Sequence, residues 1–285
     1  MYTSQVYEHY QSLIRKALED TVSLPSLPAI TLKIRNAVAD PDISVEKLAG
    51  LIAQDPALAA LLIKYSASPL YQTQHKPTTL QGVITLIGMQ AVSSIVMTHS
   101  IKSLFVMHKP RLRELFHETW RRQITKASMS AFLARKLRYH PAEEVLLTAL
   151  LTDVGTLALL SALNDAPEVP TRDEYISLCR DYSKSLGTIL LTKWRVDERI
   201  LNTMKQCGIW EEASPGIINM TDIINLALYH TIIETEPHYE LPPIVSLRAY
   251  HKLPEEFRPL TTDGKCLQLI GDHCQLIQDL TVSLA

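Results

Sequence analysis

The chain is poor in glycine and in cysteine. Only nine of its 285 residues are glycine. No stretch alternates apolar and polar residues on a β-branched background, as a half-buried strand requires. Cysteine is limited to Cys179, Cys207, Cys266 and Cys274, without a CxxC spacing, so the pattern indicates neither a disulfide framework nor a zinc ribbon. The first residues, MYTSQVYEHYQ, lack a basic segment followed by an apolar one. With reduced thiols, that leads to the expectation of a cytoplasmic protein. No GK[ST] phosphate loop is present. No histidine lies between His140 and His230.

What is present is a globular composition, 46% hydrophobic and 20% charged, with a net charge of −2 that points to neither nucleic acid nor membrane. The charge is unevenly spread. Lys109–Arg138 holds nine basic residues against two glutamates, a net of +7, and His140–Tyr182 has a net of −6. The longest apolar run, about Val145–Leu163, carries Asp153 near its centre. An unpaired carboxylate is costly at bilayer depth, so this segment reads as a core helix, not a membrane span.

Helical periodicity dominates, and proline marks the breaks, so the predicted fold class is all-α. After Leu24-Pro25-Ser26-Leu27-Pro28, an amphipathic helix is predicted over Thr31–Ala39, with Leu32, Ile34, Ala37 and Val38 inward. Ser44 and Asp55-Pro56 read as N-caps of the next two helices, the second running to about Ser66. Ser68–Pro77 is a loop. Thr78 or Thr79 caps a helix to Ile87, and Gly88 separates it from Met89–Met107. Past Lys109-Pro110, helices are predicted at Leu112–Leu137 and Pro141–Leu163, then from the capping box Thr171-Arg-Asp-Glu174. Further helices are expected at Ser185–Trp194, Asp197–Gln206, Gly216–Thr235, Ile244–Lys252 and Gly264–Leu280.

The segments SLPSLPAITLKIRNAVADPDISVEKLAGLIAQDPALAALLIKYSASPLY and PTTLQGVITLIGMQAVSSIVMTHSIKSLF resemble the HDOD family, regulatory relatives of HD-type metal phosphohydrolases and HD-GYP phosphodiesterases. The likeness rests on the Leu-Pro lead-in, the Asp-Pro helix ends, QDPAL at Gln54–Leu58, the Ser66–Tyr71 segment and LIG at Leu86–Gly88. It is strong over Leu24–Phe105 and weaker over Leu115–Tyr229, and it does not extend past Pro237. The resemblance implies an HD-domain-like helical bundle with an N-terminal helical layer and a non-catalytic signalling role in bacteria. The parts would be 1–109, the N-terminal helical portion; 110–236, a degenerate HD-like bundle; and 237–285, a C-terminal helical extension.

An HD hydrolase needs imidazoles and carboxylates from separate helices around a divalent metal, which generates hydroxide and clamps phosphate. By the resemblance, the first His position falls on Arg122, the His-Asp doublet on Thr152-Asp153, the third His near Ser183, and the last near Gln206-Cys207. Only Asp153 of this set is a metal ligand of the expected kind. The expectation is therefore a vestigial site of Arg122, Thr152, Asp153, Ser183, Gln206 and Cys207, with no catalytic residue, no metal and no cofactor. An Arg122–Asp153 ion pair would be its electrostatic centre.

The other constellations carry less. His273, Cys274 and Cys266 share a helical face but supply no fourth zinc ligand. His99 and His108 are too far apart along the chain to share a metal. Ser93-Ser94 and Ser128-Ser130 have no His-Asp partner in sequence range. Arg122, Lys126 and Lys184 are candidate anion-binding residues, which keeps a nucleotide or cyclic-dinucleotide sensor as an alternative. A metal-dependent phosphohydrolase with non-standard ligands is the other alternative. The basic Lys109–Arg138 segment lacks a recognition motif or stacking aromatics, so an acidic protein partner is expected there and nucleic acid is not. The favoured reading is a non-enzymatic module that binds protein partners.

Overall fold

In the computed structural model, residues 4–19, 24–68, 71, 77–139, 141–210, 216–236 and 239–284 are described. Among them the regular structure is helical, and the sole β-feature is an isolated antiparallel bridge, Leu260–Leu267. The all-α expectation holds.

The first helix, α1 (Ser4–Glu19), was not anticipated. It is anchored by Tyr10 and Ile14, four residues apart on one face and both buried. The N-terminal layer follows, consisting of α2 (Ala29–Ala39), α3 (Val45–Ile52), α4 (Pro56–Ser66), α5 (Leu80–Ile87) and α6 (Met89–Leu104). Local chemistry sets these boundaries. Ser44 accepts the Lys47 amide, Asp55 accepts those of Ala57 and Leu58 ahead of Pro56, and Thr79 accepts that of Gly82. Gly88, at φ +87°, bends the chain by 104° between α5 and α6, in a left-handed conformation that a side chain would oppose. Two expectations need correction. Leu32 faces solvent, because Thr31 and Ile34 form the buried face of α2, and α6 ends at Leu104, where Phe105 turns extended. The predicted Ser68–Pro77 loop lies largely outside the described residues.

The bundle is built on α7 (Pro110–Lys136), a 27-residue helix begun by proline at its first position. Against it pack α8 (Ala142–Leu151), α9 (Val154–Ala162), α12 (Met220–Thr235) and α15 (Cys274–Leu284). The predicted Pro141–Leu163 helix is in fact interrupted at Thr152-Asp153, so the doublet occupies a turn between α8 and α9. This stretch, 142–165, is apolar and long enough to cross a membrane, but most of it is buried in the bundle. Conversely, α10 (Arg172–Lys193) is continuous where two helices were expected. Its Thr171 capping box forms as predicted. Then come α11 (Glu198–Gln206), α13 (Arg248–His251) and α14 (Gln268–Asp272). The predicted Gly216–Thr235 helix starts later, at Met220, because Asn219 and Asp222 form its capping box. The predicted Gly264–Leu280 helix is split at His273 into α14 and α15.

Polar links join the parts. Lys193 Nζ and Trp194 Nε1 on α10 and its C-cap donate to the carbonyls of Leu24 and Pro25, which seats the Leu-Pro lead-in on the bundle. Tyr71 Oη and Arg135 both donate to Glu143 Oε1, at 2.6 and 2.5 Å.

Candidate functional site

The two turn residues between α8 and α9 are held by α7. Lys126, 1% exposed, reaches from the buried side of α7 and donates to Asp153 Oδ2 at 2.5 Å and to Thr152 Oγ1 at 2.7 Å. One turn earlier on the same helix, Gln123 Nε2 donates to the Asp153 carbonyl at 3.0 Å and to Thr156 Oγ1 at 2.6 Å. Thr152 Oγ1 in turn donates to the Ala149 carbonyl at 2.8 Å. The Cys207 thiol, beyond the end of α11, bonds to Thr152 and is buried. Burial pushes its pKa up, against the opposing influence of the Lys126 charge. A buried thiol held in its neutral form is a poor nucleophile.

The expected Arg122–Asp153 pair is not formed. Arg122 makes its ion pair with Glu236, just past the end of α12, and is 40% exposed. The reason is register: Arg122 and Lys126 lie one turn apart on α7, and it is Lys126 that faces the α8–α9 turn. Near Arg122, Thr119 and Tyr175 share a hydrogen bond of 3.0 Å, and burial drives the Cys179 thiol beside Tyr175 up to about 12.

The other expected residues divide. Ser183, half-buried on α10, meets the site through its backbone: a Cβ on Gly155 would lie 1.8 Å from the Ser183 carbonyl oxygen. That crossing also places Gly187 against Gly155. Gln206 is exposed. Lys184 donates to the carbonyls of Lys205 and Cys207 at 3.4 and 3.2 Å, where α11 ends. The three candidate anion-binding cations therefore do not converge: Lys126 faces Asp153, Arg122 faces Glu236, and Lys184 caps α11. Glu236 and Gln123 were missed. Buried glutamine on a helix offered a weak signal, and Glu236, 114 residues from Arg122, offered none.

One carboxylate, one hydroxyl, one neutral thiol and an ammonium do not suit a divalent ion, which needs several anionic or imidazole donors. Among the described residues, no three His, Cys, Asp or Glu side chains are grouped as metal ligands. His273, from the set weighed for zinc, instead contacts the Leu269 carbonyl, Lys136 and the Phe132 ring. Outside this filled centre, a groove of about 940 Å³ runs along α7 to α15, with Trp120, Arg121, Arg122, Glu236, Ile277 and Val282 on its walls.

The HDOD domain model matches residues 24–207, more than half of the chain. The chain belongs to the HDOD family. Over 267 residues it is 20% identical to an uncharacterised protein of Treponema pallidum (strain Nichols), covering 86% of this chain and 49% of that protein. The chain thus spans about half the length of that curated relative. Among solved structures, it resembles a "Putative metal-dependent phosphohydrolase" of Shewanella amazonensis SB2B, with a TM-score of 0.77 and 21% identity over 99% of this chain and 100% of that one. It also resembles an HDOD domain protein of unknown function from Geobacter sulfurreducens, with a TM-score of 0.66 and 19% identity over 97% of each chain. At these identities the likeness establishes the fold.

Proposed function

We propose that this HDOD protein is a non-catalytic signalling or regulatory module that acts by binding a protein partner or ligand. The observation that carries the reading is the Lys126 ammonium on the Asp153 carboxylate. A cation approaching that oxygen must displace a charge already neutralising it, and Thr152 supplies a hydroxyl where the related hydrolases carry an imidazole. Both substitutions oppose metal-assisted hydrolysis, which needs an ion-bound water and an open coordination position. The binding surface that the geometry favours is the groove along α7 and α15, where apolar walls meet charged rims.

The acidic-partner surface is redrawn accordingly. Lys109, Arg122, Lys126, Arg135 and Lys136 bond within the molecule, whereas Arg111, Arg113, Arg121 and Arg138 are exposed. The test is elemental analysis of untagged protein together with assays of phosphomonoester and phosphodiester hydrolysis in added Mn²⁺, Mg²⁺ or Fe²⁺. Substoichiometric metal and no metal-dependent turnover are expected. Stoichiometric metal and turnover, both lost on Asp153→Asn, would restore the phosphohydrolase reading.

A further inference from the structure

The groove along α7 has a floor and a length that restrict what can fill it. Leu115, Thr119, Arg122, Thr125 and Met129 line it and recur at spacings of three and four, so they form one stripe of α7. The first four are only half-buried, although α8, α9, α12 and α15 all pack on this helix. Two apolar side chains stand on the walls with much of their surface in solvent: Ile176 of α10, 39% exposed, and Val282 of α15, 66% exposed. From Leu115 to Met129 the stripe runs about 21 Å, at about 1.5 Å per residue. A helix about 10 Å across, sunk to half its thickness over that length, takes roughly 800 Å³. The groove holds about 940 Å³. Its walls come from α7, α10, α12 and α15, and helices offer no open backbone edge to an added strand. The rim carries both signs. Arg121 on α7 and Arg172 at the start of α10 are exposed, and so is Glu234 in the last turn of α12. Arg122 and Glu236 are already paired with one another.

We propose that this groove seats an amphipathic α-helix of a protein partner, about 14 residues long. Its apolar stripe lies on the Leu115–Met129 face between Ile176 and Val282. It carries acidic residues where it meets Arg121 and Arg172, and a basic residue where it meets Glu234. A helix satisfies its own backbone, so it can lie on a floor of side chains and bury apolar anchors at i, i+3, i+4 and i+7. Anchoring falls to the apolar stripe, because desolvated side chains near the centre of an interface carry most of its energy. The rim charges select the orientation of the helix more than they add affinity. The proposal rests on the reading of this protein as a binding module and names the partner element that the module would take.

The test is panning of the full chain against a displayed library of alanine-based helices of about 14 residues. Each has an apolar stripe and flanking positions randomised among Glu, Lys and Gln. A second library of the same composition has the stripe scrambled. Helices with an intact stripe and both flank charges are expected to be enriched. The affinity of the best one, as a synthetic peptide, is then read by fluorescence anisotropy. Val282→Asp and Ile176→Asp, at exposed positions, should each weaken it by about tenfold, the worth of one buried aliphatic side chain. Arg172→Glu should weaken it by about threefold, and a Lys at the facing peptide position should restore it. The proposal fails if the scrambled library is enriched equally, or if neither library yields a binder. It also fails if both aspartate variants keep wild-type affinity, or if the bound peptide shows no helical circular dichroism. Sedimentation of the protein alone covers a further occupant: a dimer that Val282→Asp dissociates would give the groove to a second copy and overturn the proposal. Metal-dependent turnover alongside intact peptide binding would reject the non-catalytic reading alone. Absence of both would reject the groove alone.

Discussion

Lys126 and Asp153 are unequal partners: the lysine side chain is 1% exposed and the aspartate 26%. Removing the aspartate strands a charge that water cannot reach, whereas removing the lysine leaves a carboxylate that solvent can still hydrate. Asp153→Asn should therefore cost about 3–5 kcal/mol and Lys126→Met a smaller amount, about 1–3 kcal/mol. The pair Lys126→Met with Asp153→Leu should cost clearly less than the sum of its single changes. Urea unfolding of wild type, Lys126→Met, Asp153→Leu and the double variant checks this, and additive costs would show that the pair is not coupled. Arg122→Met, which breaks a half-exposed pair, should cost no more than about 1 kcal/mol. His230 provides a separate pH handle. It is buried, with Nδ1 donating to the Leu226 carbonyl at 2.7 Å and Nε2 accepting the Leu267 amide at 2.9 Å, and the Leu267 bond requires the neutral ring. Burial lowers its pKa from 6.5 to about 4. The unfolded chain takes up the proton first on acidification, so this contribution is complete above pH 6.5 and declines as pH falls towards 4. The total is about 3 kcal/mol. The stability gap between wild type and His230→Gln should narrow over that window, and a gap independent of pH would show that His230 is not the titrating group.

Helix ends were legible where one residue acts on its own neighbours. Ser44, Asp55-Pro56, Thr79 and Thr171 all act at the predicted positions, because a cap is a bond between residues two or three apart, and Gly88 acts at its own through a positive φ. Features set by packing were not legible. The break at Thr152-Asp153 carries neither proline nor an N-cap bond from Asp153, and it exists because Lys126 and Gln123 hold that turn from another helix. The choice between Arg122 and Lys126 as the partner of Asp153 was invisible for the same reason, since both lie on a face that sequence alone cannot orient. The continuity of α10 through Gly187 depends on the close crossing with α9, where Gly155 lets two backbones touch. Gly155→Ala would force a methyl group to within 1.8 Å of the Ser183 carbonyl, and backbone cannot yield as a side-chain tip can. A loss of about 3 kcal/mol or more is expected. Gly50→Ala, in the exposed interior of α3 with nothing within 4 Å, should instead stabilise by up to about 1 kcal/mol. Thermal melts of the two variants should move in opposite directions, and a neutral Gly155→Ala would mean that α9 and α10 can separate freely.

At the scale of the whole molecule, the three sequence segments 1–109, 110–236 and 237–285 share one continuous core that runs from Tyr10 to Leu284. Polar links cross each seam: Tyr71 and Arg135 meet on Glu143, Lys64 holds the Val282 carbonyl, and His230 accepts the Leu267 amide. At the last seam, Asp222 is fully buried between Arg248 and Lys252, at 3.1 and 3.0 Å, while also capping α12. Segments that complete one another's cores cannot release one part without exposing apolar surface on the next, and that is the physical basis of cooperative unfolding. The expectation is a single transition in differential scanning calorimetry, with calorimetric and van't Hoff enthalpies that agree. Asp222→Ala, remote in sequence from the N-terminal layer, should lower that one transition as a whole, because it leaves two poorly exposed cations without their carboxylate at a cost of about 3–5 kcal/mol. If it instead splits off an early transition while the remainder melts as before, the C-terminal segment is a separate folding unit. The groove between α7 and α15 would then open without unfolding the bundle.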